Sequence, residues 1–157
     1  YSYLSDDPKT CVNCHVMAPY YATWMHSSHG RDVTCNDCHI PQDNIVNKYF
    51  VKGLNGYNHA AVFTKRTEDQ AMRAIPMNSQ AIMNNCIRCH TQLNTEFVET
   101  GRHSWREMQE IGGSTCWDCH RDVPHTRSRS LSSTPHARVP MPESNVPDWL
   151  QKLTSGD

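Results

Sequence analysis

The residues of this chain best suited to chemistry are its eight cysteines and ten histidines. Every cysteine falls in one repeated pattern, CxxCH: Cys11-Cys14-His15, Cys35-Cys38-His39, Cys86-Cys89-His90 and Cys116-Cys119-His120. Two thiols at this spacing can add across the vinyl groups of one porphyrin, and the histidine that follows can turn beneath the ring to bind its iron. Zinc sites use CxxC pairs without requiring a histidine after each one. A disulfide framework leaves the four histidines without a role, and iron–sulfur clusters want cysteines alone. The pattern therefore predicts four covalently bound haem c groups.

Such groups must be positioned by a chain with little apolar material of its own. Of 157 residues, 37% are hydrophobic and 8% aromatic, and mean hydropathy is -0.71. That is too little for a protein-only core. Four apolar macrocycles replace the missing side chains, so folding should be coupled to haem attachment. A net charge of -1 provides no field for nucleic acid or for a strongly charged partner. The expected fold is mainly α: a small haem-packed multihaem cytochrome c domain over residues 1–125 with little sheet, followed by an extended arm over 126–157 rich in serine and proline. Helices are expected over Gly56–Ala74, from a cap at Ser79 into the third CxxCH, over Thr95–Ile111 up to Gly112-Gly113, and over Pro147–Leu153. The arm is expected to grip a partner. Closely spaced haems pass electrons between cofactors, so electron transfer is the function needing least assumption.

Each haem iron has a second axial position, and six histidines lie outside the pentads: His26, His29, His59, His103, His125 and His136. His125 follows His120 by five residues, a link of at most about 18 Å, too short to round the porphyrin edge to its other face. It should ligate a neighbouring haem. The same reasoning applies to His29, six residues before Cys35. His103 and His136 read as surface residues, and His26 is open. Met17, two residues after His15, is either an iron ligand through its sulfur or a filler of apolar space.

The order CxxCHxM, SxHG before CNDCHxP, a lysine–glycine segment, a third CxxCH and a final CxDCHRxVxH resembles the NapC/NirT/NrfH family of membrane-anchored tetrahaem quinol dehydrogenases. The resemblance runs from about Cys11 to His125, and it is strongest to the branch of small subunits that feed a pentahaem cytochrome c nitrite reductase. It implies menaquinol as substrate, the membrane quinol pool and that reductase as partners, and a place at the periplasmic face of the bacterial inner membrane. It also implies Met17 as axial ligand of the first haem in place of His15, with His15 binding and Met17 packing nearby as the alternative. By the same resemblance the third haem (His90) takes His125 and the fourth (His120) takes His29. The second haem (His39) is left for His26, His103 or a residue of the reductase. Lys52 matches a family lysine at the quinol pocket. His59 stands where the family often has an aspartate near the first haem, and could be an iron ligand or the proton acceptor, since an imidazole titrates near neutral pH.

No apolar run approaches the roughly 18 to 20 residues of a spanning helix; either an anchor lies upstream of Tyr1 or a signal peptide has been removed, and the resemblance implies the anchor. The rival reading is a soluble periplasmic tetrahaem shuttle with no quinol site. Pentahaem nitrite reductases carry a CxxCK catalytic site, and all four pentads here end in histidine, so direct nitrite reduction is not expected.

Overall fold

The structure, a computed structural model, describes residues 4–69, 71–93, 103–123, 125, 132 and 152–153. The expected partner arm and terminal helix lie outside the described residues but for 132 and 152–153. Seven α-helices occur among them: α1 (Lys9–Val12), α2 (Ala18–Met25), α3 (Cys35–His39), α4 (Ile45–Lys65), α5 (Pro76–Cys89), α6 (Trp105–Glu110) and α7 (Cys116–Cys119). Single 3-10 turns follow α1 (His15–Met17) and α5 (Thr91–Leu93). No strand is present among the described residues, in keeping with the mainly α expectation.

The longest element begins earlier than the sequence suggested. Asn44 caps α4, its side-chain oxygen accepting the Asn47 N–H at 2.8 Å, which draws 45–55 into the helix that composition placed only from Gly56. The helix stops at Arg66, which adopts φ 54° and ψ 45°. That left-handed residue ends the ladder long before Ala74. Likewise α5 starts at Pro76, not at Ser79. Proline is preset for the first helical position, and Ser79 is buried inside the helix. Helix α6 begins at Ser104, whose hydroxyl oxygen accepts the Glu107 N–H while the Glu107 carboxylate accepts the Ser104 N–H. Gly112, at φ +66°, then turns the chain away. The portion of that expected helix over 94–102 lies outside the described residues.

The protein-built core is thin. Val12, Ala18, Pro19, Tyr21, Ile40, Val51, Ala81, Met83 and Met108 are its buried apolar side chains among the described residues. Polar stitches supplement it. Asn85 on α5 donates to Cys38 O (3.0 Å) and Ile40 O (2.8 Å), fixing α3 against α5. The Trp105 N–H donates to Gln80 Oε1 at 2.8 Å, fixing α6 to α5. The two Asn85 bonds are made at the edges of the second and third CxxCH segments, so the framework is held where cofactors must attach.

Candidate functional site

The four attachment segments are presented in different ways. Two open short helices: Thr34 and Thr115 precede Cys35 and Cys116, and the aspartate inside each motif reaches back. Asp37 Oδ2 accepts from the Thr34 N–H (2.8 Å) and hydroxyl (2.7 Å). Asp118 Oδ2 accepts from the Thr115 N–H (2.7 Å) and hydroxyl (2.6 Å). The T-C-x-D-C-H string therefore carries its own helix start. In the third segment Cys86 and Cys89 form the last turn of α5, with His90 as its C-cap. In the first, Cys11 lies within α1 and His15 opens a 3-10 turn.

All eight thiols are free of disulfides, yet they come together across segments. Cys11 and Cys35 are hydrogen-bonded through their side chains, as are Cys86 and Cys116. The Cys35 and Cys86 thiols are pushed up first by these contacts and then by burial. The first segment thus abuts the second, and the third abuts the fourth.

The histidines show whether the residues fit haem. Metal–imidazole bonds are about 2 Å long, so two rings on opposite sides of one iron have centres roughly 6 Å apart. The rings of His29 and His90 lie 6.1 Å apart, and those of His39 and His125 lie 6.3 Å apart. Among the described residues no three His, Cys, Asp or Glu converge on one point. Paired imidazoles are what a porphyrin iron requires, because the macrocycle provides the other four donors. Buried His29 Nδ1 has no hydrogen-bond partner among the described residues.

His125 is oriented by a neighbour that its own sequence context does not announce. Thr23 on α2 donates its hydroxyl proton to Pro19 O at 2.8 Å. Its oxygen is then the acceptor for His125 Nδ1, 3.3 Å away. With the proton on Nδ1, Nε2 keeps the lone pair that binds iron. Tyr20 packs edge-on against the same imidazole at 5.6 Å. Opposite, desolvation and then the fields of His125 and His59 push His39 down to about 4. The ring is neutral at ordinary pH and able to ligate.

These pairings differ from the ligand sets that the resemblance implies: the ring of His125 lies by His39 and that of His29 by His90. His26 is exposed at the end of α2, and His103 lies 3.9 Å from Glu107; neither approaches His39. His136 lies outside the described residues. No second imidazole faces His15 or His120 among the described residues. In the first segment His15 is exposed, whereas Met17 is half-buried.

Lys52 and His59 stand seven residues apart on α4, about 10.5 Å along the same face of the helix. Lys52 is buried and its charge reaches Cys11. Its ammonium is held by Asp6 Oδ1 at 2.7 Å and Leu4 O at 2.9 Å. His59 is exposed at its outer edge, yet partial desolvation lowers its pKa. Asp6 and Thr23 are the two site residues that sequence reasoning missed. Their partners lie 46 and 102 positions away, and nothing local marks them.

Comparison with known proteins follows the same lines. Residues 3–130 match the NapC/NirT cytochrome c family, N-terminal region. The chain is 43% identical over 136 residues to the cytochrome c-type protein NrfH of Wolinella succinogenes, covering 85% of this chain and 77% of the relative. It is 29% identical to the cytochrome c nitrite reductase subunit NrfH of Nitratidesulfovibrio vulgaris, covering 82% and 74%. A crystal structure of the cytochrome c nitrite reductase NrfHA complex bound to the inhibitor HQNO shares the fold. It has a TM-score of 0.65 at 27% identity, with 90% of this chain and 86% of that chain covered.

Proposed function

Because the chain belongs to the NapC/NirT cytochrome c family, we propose that it oxidises menaquinol and passes the electrons, through four covalently bound haems, to a pentahaem NrfA-type nitrite reductase. One observation carries the reading: a chain like NrfH over most of its length presets two imidazole pairs at iron-bridging distance. Haem c supplies the one-electron chemistry when bound. The protein's part is to hold, orient and move protons.

Cys11, Cys14, Cys35, Cys38, Cys86, Cys89, Cys116 and Cys119 are the tethers. His39 with His125 and His90 with His29 hold the second and third irons. The half-burial of Met17 beside exposed His15 supports Met17 as ligand to the first. His120 holds the fourth. Quinol oxidation releases two electrons and two protons. Lys52 hydrogen-bonds one oxygen of the head group, and His59, neutral because its pKa is lowered, accepts the proton of the other and passes it to solvent at its exposed edge, while the second proton leaves to bulk water.

The same helix supports access from the bilayer. Ile45, Val46, Tyr49, Phe50, Tyr57 and Phe63 are exposed on α4, while Lys48 and Lys52 turn inward to Asp6. From Ile45 to Phe63 the outward face carries no charge, the composition of a helix lying in the headgroup region. No helix of the described residues is long and apolar enough to cross a membrane. The protein then works at the periplasmic face of the inner membrane, with α4 as its contact.

The test is haem reduction by menadiol, a naphthoquinol, followed by absorbance in the haem-loaded protein. Lys52→Met and His59→Ala should each slow it at least tenfold while dithionite still reduces every haem. Dithionite reduction without any reduction by menadiol in the parent protein would overturn the quinol reading.

A further inference from the structure

Lys52 is the buried cation of α4, with a side chain only 6% exposed against 48% for Asp6. A buried ammonium persists only when paired and hydrogen-bonded. Its three N–H donors have two partners from one short stretch ahead of α1: Asp6 Oδ1 at 2.7 Å and Leu4 O at 2.9 Å. That stretch is itself fixed from a second direction. Asn36, inside the second CxxCH segment, donates from Nδ2 to Asp6 Oδ1 at 2.7 Å and to Ser5 O at 3.3 Å. Lys48, one turn before Lys52, reaches Asp6 Oδ2 at 3.5 Å. The hydrogen bond from Lys52 is the first cause holding the Asp6 carboxyl below its ordinary range; it outweighs the opposing desolvation, and Asn36, the charge of Lys52 and that of Lys48 add to it.

We propose that Asp6 is a positioning residue of the quinol site: it clamps the Lys52 ammonium so that the one remaining N–H is aimed at the oxygen of the bound head group. The inference rests on the quinol reading of Lys52. Two of three donors are committed to the 4–6 stretch, and their directions fix the third by the tetrahedral geometry of the nitrogen. A long, flexible lysine is thereby made into a single directed donor, which lowers the entropy cost of binding. The clamp also joins α4 to the second attachment segment through Asn36, so the donor is registered against the cofactor framework and not merely against its own helix.

The measurement is the menadiol concentration dependence of haem reduction in the haem-loaded protein, for Asp6→Asn, Asp6→Glu, Lys52→Met and the double variant Asp6→Asn/Lys52→Met. Haem content and complete reduction by dithionite establish that each variant is loaded. Asp6→Asn should raise the apparent KM about 10- to 100-fold, the range of a misdirected binding group. Asp6→Glu should recover most of the loss, and Asp6→Asn should add nothing when Lys52 is already methionine. A merely structural ion pair gives a different pattern, in which Asp6→Asn costs as much in the methionine background as alone. That pattern, or a parental KM in Asp6→Asn beside an impaired Lys52→Met, overturns the inference and leaves the quinol site standing. A parental KM in Lys52→Met overturns both together. Should Asp6→Asn fail to load haem, Asp6→Ser takes its place, and a parental KM in that variant is the overturning result.

Discussion

Replacing His125 by alanine should leave the second iron with one axial ligand and open the longest bridge in the chain. The rings of His39 and His125 are 6.3 Å apart, so the bridge joins points about 86 positions apart, and it overlaps the one from His29 to His90. In the chain-entropy description a cross-link closing a loop of roughly 86 residues contributes about 4.6 kcal/mol. The surviving His29–His90 bridge shortens the effective loop to roughly 45 residues. Because the dependence is logarithmic, the contribution falls only to about 4 kcal/mol. Two signals follow in the haem-loaded variant. Roughly a quarter of the haem absorbance should acquire five-coordinate, high-spin character, and the denaturant midpoint should drop by the equivalent of several kcal/mol. Free imidazole should restore the spectrum without restoring the midpoint, since it replaces the ligand and not the tether. Thr23→Val, which removes only the bond to Nδ1, should cost about 1 kcal/mol and keep the ligand. His29→Ala should open the third haem, and the double variant two haems, about half the total. An unchanged spectrum in His125→Ala, or a double variant with no more high-spin haem than either single one, would refute the pairing.

Gly30→Ala should displace His29, because a Cβ there would meet Trp24 O at 2.6 Å and Met25 O at 2.7 Å, both immovable backbone atoms. The expected result is partial high-spin character at one haem with a loss of about 1–3 kcal/mol in stability, read by absorbance and denaturation. Phe50→Asp and Tyr57→Asp should each weaken association with phospholipid vesicles several-fold, measured by flotation, and slow menadiol reduction in vesicles but not in detergent. The acid limb of quinol oxidation should follow His59. Its pKa is lowered, so the proton-accepting form persists below pH 6.5, and the rate is lost only on further acidification. In His59→Gln that limb should disappear from a stopped-flow pH profile. The Asp6 clamp has the same sign: its lowered pKa keeps the carboxylate charged, and the ion pair present, above about pH 3.8, with loss as pH falls through the folded value.

The attachment chemistry was legible in the sequence because it is local. Two thiols and an imidazole within five residues define a haem tether whatever the rest of the chain does, and T-C-x-D-C-H even carries its own helix cap. The candidate distal histidines were also readable. The limited reach of a five-residue link excluded His125 from its own haem, and its ring lies opposite His39. Which ring it lies beside was not readable, since the same reach allows several neighbours. Helix limits were missed for a related reason: Asn44, Pro76 and Arg66 override composition through one cap, one preset φ and one left-handed residue.

What the sequence determined by itself is therefore the cofactor class, the number of attachment sites and the candidate ligands, all set by covalent spacing over a few bonds. Tertiary structure alone decided the partners. The ring of His29 lies by His90 and that of His125 by His39 in a frame where Asn85 binds α3 to α5 and Thr23 on α2 meets Nδ1 of His125. Asp6 reaches Lys52 across 46 positions in the same frame. Such meetings depend on how helices pack around a shared centre, and no periodicity along the chain encodes a distance between residues that only the fold brings near.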